Sequence, residues 1–198
     1  TIGRRQHPAL ADRCGLIAAG IAAVYPNLWI NDSVVMSEAL AILLVSSALL
    51  VALAHHAAPT IRSGALLGLL TGLAALARSE LVLVAVGFVA LSGLVARRRA
   101  ASQRCPPTPA VAWLPTAAIA VATVATLAPW SIYNAGRFNR PVLFTTNDGN
   151  TLLGANCPST YYDDVGGWDL RCLGPLDDDP DSDASDRSAE RRDTALEY

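Results

Sequence analysis

GALLGLLTGLAALARSELVLVAVGFVALSGLVA, residues 64–96, is a run of 33 residues in which only Arg78 and Glu80 carry charge. At about 1.5 Å per residue one helix through it would measure roughly 50 Å, against a bilayer hydrocarbon core of roughly 30 Å. Tilting absorbs a modest excess, not this one. The run therefore reads as two short spans, 61–77 and 81–96, meeting at Arg78-Ser79-Glu80. A re-entrant segment is the alternative that the same pattern leaves open.

The composition around this run agrees. Of 198 residues, 52% are hydrophobic and 16% charged, with a mean hydropathy of +0.34. A soluble domain carries roughly 25% charge, dispersed among alternating faces. Here the charge gathers near the start, at 97–104 and in the last third. That distribution describes an all-α membrane protein and excludes an ordinary soluble core. The expected spans are 14–30 (interrupted by Pro26), 34–54, 61–77, 81–96 and 111–130, about five in a multi-pass bundle over residues 1–133.

All 15 basic residues are arginine, which with the heavy use of alanine suggests a GC-rich bacterial genome. Their placement predicts orientation. With the N-terminus cytoplasmic, the inner loops hold Arg4, Arg5, Arg13, Arg62, Arg97, Arg98, Arg99 and Arg104, and the outer loops only Arg78. The positive-inside rule then favours the cell membrane with an extracytoplasmic C-terminal third. Nothing in this charge pattern calls for a nucleic-acid partner.

Residues 134–176 are rich in Asn, Gly, Pro and Tyr, with turn signals at Asn147-Asp148-Gly149-Asn150 and Gly166-Gly167. They read as an extracytoplasmic loop region or the start of a small domain. Residues 177–198 read as an acidic linker and the beginning of a surface helix. The chain opens on Thr with no signal peptide and ends in a helical pattern, so a piece of a longer protein is expected.

Cys157 and Cys172 fall on the outer side, where a disulfide persists if one forms; Cys14 and Cys105 fall inside. His7, His55 and His56 match no metal-ligand spacing.

An ionisable group within a span is expensive and usually faces a partner or a water-filled cavity. Glu38 is such a group, and Asn31, Asp32, Arg78 and Glu80 fall near the same face. Each has a plainer reading too. Arg78 and Glu80 fit a wet turn at headgroup level, Glu38 and Arg78 a pin between two helices, and Asp32 a helix cap. Trp130 and Tyr133 fit an interfacial aromatic belt.

PWSIYNAGRFNRPVLFTTNDGNTLLGANCPSTYY (129–162) resembles a segment of the GT-C class of polytopic glycosyltransferases, broadly family 39. In those relatives of protein O-mannosyltransferases and aminoarabinose lipid A transferases, a span ends in Pro-Trp, followed by Arg/Tyr-Asn and Phe-Gly/Asn-Arg-Pro-Val. A Thr-Asn-x-Gly turn comes next. Upstream, LAALARSE (73–80) is similar to their Arg-(Pro/Ser)-Glu segment, and Ser37-Glu38 to their Ser-Glu position. Order and approximate spacing agree along residues 14–162.

The resemblance implies a polyprenyl-phosphate-linked sugar as donor and inverting transfer to a glycan, lipid or protein acceptor outside the membrane. The leaving lipid phosphate needs cationic stabilisation, which Arg78 and Arg137 would supply; Arg78 and Glu80 would line the donor cavity, and Glu38 would support them. Asn147, Asn150 and Asn156 would contact sugar or phosphate, or else hold their own turns. The family's base, an acidic residue of the first outer loop, is expected upstream of this chain, leaving the catalytic residue unknown and the chain inactive alone. Whether a divalent metal assists is open. A transporter or flippase, or a non-catalytic membrane protein, is the alternative.

Overall fold

The computed structural model describes residues 8–26, 37–102, 108–162, 167–174 and 182–197. Arg4, Arg5, His7, Asn31, Asp32, Arg104, Cys105, Gly166 and the aspartates of 177–181 lie outside the described residues. Every regular element among the described residues is helical. The chain divides into two compact units, 1–127 and 128–198.

The first unit contains α1 (Pro8–Val24), α2 (Ser37–Ala57), α3 (Ile61–Ala77), α4 (Val82–Ser102) and most of α5 (Pro109–Ala135). The long apolar run does divide. α3 ends at Ala77, Arg78 takes an extended conformation as its C-cap, and a short 3₁₀ turn, Ser79–Leu81, leads into α4. Thr60 and Ser63 start α3 with a reciprocal capping box.

Among the described residues three helical stretches are long and apolar enough to cross a membrane: Ser37–Ala57, Ser79–Ser102 and Val111–Ala135. Only 11% of the most apolar window of α2 is buried, so its leucines face outward, as a lipid-facing helix requires. The expected count of about five meets three by these measures. α1 and α3 have 17 residues each, about 26 Å of helix, short of the hydrocarbon thickness.

Boundaries also moved. α1 begins at Pro8 and stops at Val24, ahead of Tyr25-Pro26, where the expected span is interrupted; residues 27–30 lie outside the described residues. Proline favours the first turn of a helix and disfavours helical backbone in the residue before it. Glu38 lies in the first turn of α2, not a turn inside it, and favours the helix start electrostatically. α4 continues through Arg97–Arg99 to Ser102, and α5 continues past Trp130 to Ala135. Arginine is a good helix former, and hydropathy alone does not mark where hydrogen bonding stops.

α3 is short but central. Gly64, Gly68 and Gly72 let its backbone approach α5 so closely that a Cβ at Gly68 would overlap the carbonyl oxygen of Ile119 and lie 2.8 Å from Ala122 Cβ. Leu67, Ala48 and Ile119 are buried beside this contact, with Val51, Leu70, Phe88 and Val89 packed around them. Thr123 Oγ1 donates across the contact to Gly68 O at 3.2 Å, a polar tie between two apolar helices.

The second unit joins the end of α5 to α6 (Asp148–Ala155), α7 (Pro158–Tyr162), a 3₁₀ turn (Leu170–Leu173) and α8 (Ala184–Leu196). Trp130 Nε1 donates to Phe144 O at 2.8 Å and Ser131 Oγ to Leu143 O at 2.9 Å, holding the chain that follows α5. Gly149 admits the backbone of Ser188, so α6 and α8 cross in contact. Asp183 caps α8 and also accepts from Asn139 N at 2.7 Å, while Arg140 Nε donates to Asp186 Oδ1 at 2.7 Å. A disulfide joins Cys157 to Cys172.

Candidate functional site

The break between α3 and α4 sets the site. Because Arg78 leaves helical geometry, its side chain reaches the start of α2 as well as the turn that follows. Nη1 donates to Glu38 Oε1 at 2.9 Å, and Nε donates to Glu80 Oε1 at 2.6 Å. One guanidinium thus binds two carboxylates from two other elements. The side chains of Arg78, Glu38 and Glu80 retain 40%, 34% and 55% exposure, so water or a polar ligand can reach them. The group carries a formal charge of −1. Nη2 is the guanidinium edge that neither carboxylate takes.

The remaining sequence candidates belong to the second unit. Arg137 lies 5.8 Å from the ring centre of Tyr133 and 5.3 Å from that of Phe138. Tyr133 in turn stacks on Trp130, one helical turn back along α5, at 5.9 Å. Cation–π contacts of this kind hold an exposed guanidinium in place without neutralising it. Arg137 meets no carboxylate among the described residues.

The three asparagines hold local structure. Asn147 Oδ1 accepts from Asn150 Nδ2 at 3.0 Å, and Asn150 Oδ1 accepts from Arg191 Nη1. Asn156 Nδ2 donates to Leu152 O at 3.2 Å, and its Oδ1 accepts from Tyr161 Oη at 2.7 Å. These bonds lie within the second unit, and the one from Arg191 reaches beyond the turn to α8.

Electrostatics in the second unit centres on carboxylates. Hydrogen bonds from the Ser185 hydroxyl and the Asn139 backbone hold Asp183 well below the usual carboxylate range. Asp186 is lowered by the side chains of Asn139 and Arg140. Asp169 is lowered by Arg171 and by Ser159. Each is therefore ionised at neutral pH and already committed to a structural partner, which suits none of them to accept a proton in catalysis. Among the described residues no three or more His, Cys, Asp or Glu side chains gather as a metal site.

Two features take their surroundings from the fold alone. Asn134 is 1% exposed, and neither its amide nitrogen nor its oxygen has a hydrogen-bond partner. His55, 4% exposed, is hydrogen-bonded through Nδ1 to Ser63 Oγ at 2.8 Å and through Nε2 to Ser92 Oγ at 3.2 Å. The signal for the second was a histidine in an apolar helix together with a serine at mid-helix in α4. Nothing in the pattern around Asn134 distinguishes it from a surface residue.

Comparison with protein-family models, with curated proteins and with solved structures finds no match.

Proposed function

We propose that the chain is part of a membrane glycosyltransferase of the GT-C class, acting on a polyprenyl-phosphate-linked sugar. The observation that carries this reading is Arg78, held at the break between two apolar helices by Glu38 and Glu80, with Nη2 left for an anion. In the reaction the bond between the sugar's anomeric carbon and the lipid phosphate oxygen breaks. A bond from that carbon to the acceptor oxygen forms with inversion, and the acceptor's proton passes to a base. Arg78 stabilises the negative charge that develops on the departing phosphate. The residue that takes the proton is not assigned within this chain.

In this reading α1 and α3 join the three longer helices as spans, making five. The N-terminus is cytoplasmic, and residues 134–176 lie outside, where the acceptor is met. Arg137, stacked on Tyr133 and Phe138, keeps an exposed cationic group within the second unit. The similarity of residues 73–80 and 129–162 to GT-C segments supports the same assignment.

The test is transfer of radiolabel from polyprenyl-phosphate sugars to an acceptor fraction, in membranes carrying the whole gene product. The Arg78→Ala variant should lose about 10²-fold in rate while its level in the membrane holds. Absence of transfer with every such donor overturns the reading. A second reading has its own observation: two carboxylates already occupy Arg78, and the net charge of −1 on the three groups together repels phosphate. In that case Arg78 only joins helices, and Arg78→Ala lowers protein level and activity in parallel.

A further inference from the structure

At the opposite, arginine-rich end of the first unit, a cavity of about 250 Å³ opens between α2, α4 and α5. Its wall is apolar, with Leu67, Phe88, Leu91, Val95 and Pro115 facing in. The His55, Ser92 and Thr116 side chains that line it are already hydrogen-bonded to one another or to Ser63. Ser92 Oγ is hydrogen-bonded to Thr116 Oγ1 at 2.8 Å and to His55 Nε2 at 3.2 Å, while His55 Nδ1 is taken by Ser63. A sugar or nucleotide entering this space would find few polar groups to bond. An alkyl chain would lose nothing.

The rim is cationic. Arg99 lines the cavity beside His56, and its Nη2 donates to the His56 carbonyl oxygen at 2.6 Å. That bond caps the last turn of α2 and fixes the guanidinium at the opening. Arg99 meets no carboxylate among the described residues. Arg97 and Arg98 precede it on the same helix. α2 and α4 both lie in stretches apolar enough to cross a membrane, so the histidine end of α2 and the arginine end of α4 fall at headgroup depth.

We infer that this cavity is a binding site for an anionic glycerophospholipid, with the headgroup phosphate on Arg99 and a segment of one acyl chain against Leu67 and Phe88. Basic pockets between membrane helices select anionic headgroups by this chemistry. The volume admits part of a chain and not a whole lipid, so the remainder of the molecule lies along the outer helix surface. The site is independent of the Glu38–Arg78–Glu80 group and of any transfer reaction.

The experiment is native mass spectrometry of the full chain, delipidated and then offered phosphatidylglycerol, phosphatidylcholine or inorganic phosphate. One phosphatidylglycerol per chain should be retained about tenfold over phosphatidylcholine, with inorganic phosphate unable to displace it. Arg99→Gln should abolish the preference, Arg99→Lys should keep part of it, and Ala112→Phe, which fills the cavity, should also abolish it. Arg97→Gln, which does not line the cavity, should change retention less than about twofold. Equal retention of the two lipids overturns the proposal, as does displacement by inorganic phosphate, which would make this a free-anion site. Equal loss in Arg97→Gln and Arg99→Gln also overturns it, leaving only diffuse attraction to a charged surface. Should Arg99→Gln fail to fold, the two-lipid comparison on the unaltered chain decides alone.

Discussion

Arg78 Nη1 and Glu38 Oε1 lie 2.9 Å apart although 40 positions separate them in the chain. The contact ties the start of α2 to the break between α3 and α4. Because both side chains are partly exposed, the pair contributes about 0.2–1 kcal/mol. A double-mutant cycle with Glu38→Gln and Arg78→Gln, read by unfolding in detergent, should return a coupling of that size. The swapped pair, Glu38→Arg with Arg78→Glu, should recover folding lost in each single change. A coupling indistinguishable from zero would mean that Glu80 alone holds the arginine.

The glycines of α3 are not equivalent to glycines elsewhere. Gly68→Leu must force α5 away from Ile119 and Ala122, and should destabilise by about 1–3 kcal/mol. At Gly87 on α4, an added methyl group would meet nothing within 4 Å. Gly87→Ala should therefore be neutral or slightly stabilising, since alanine is the better helix former. Thermal unfolding of the two variants side by side checks the contrast, and equal midpoints would contradict the close α3–α5 contact.

The Cys157–Cys172 bridge closes a loop with a sequence separation of 15. Its loss should destabilise the second unit by about 3 kcal/mol in the chain-entropy account. Reductant added to the wild type should lower the unfolding midpoint, while the Cys157→Ser/Cys172→Ser variant should be insensitive to it. Unchanged hydrogen exchange at residues 150–173 on reduction would refute the expectation.

Acid should loosen the contact between α8 and residues 139–149. Asp183 and Asp186 are held below the usual carboxylate range in the folded chain. The folded state therefore binds fewer protons than the unfolded state, and stability declines as pH is lowered. The contribution is complete above the ordinary aspartate range, near pH 4, and is lost as pH drops toward the depressed folded values. Trp168 emission followed from pH 6 downward should show the transition, and Asp183→Asn should flatten it. A wild-type profile with no acid limb would count against these carboxylates.

The interruption at residues 78–80 was legible because one helix of 33 residues has no place in a bilayer and because charge appears there and nowhere else in the run. The number of spans was less legible. α3 keeps the bounds read for it, 61–77, and α1 stops before Tyr25-Pro26; both have 17 residues, fewer than the helices beside them. The Glu38–Arg78 pair was one of several arrangements open in the sequence, since choosing among them needs a side-chain direction. Asn150 and Asn156 show the limit most clearly. Whether they bind a ligand or their own turns depended on Arg191 and Tyr161, partners that only the folded second unit brings near.

The clasp between residues 139–149 and α8 also has an order in time. Asn139, Arg140 and Asp148 leave the ribosome first, and their partners Asp183, Asp186, Ser188 and Arg192 follow about forty residues later. Until α8 emerges, these groups lack the partners that it supplies. The second unit is thus closed by a helix made some forty residues after the surface it covers, and a nascent chain stalled before residue 183 would present that surface open.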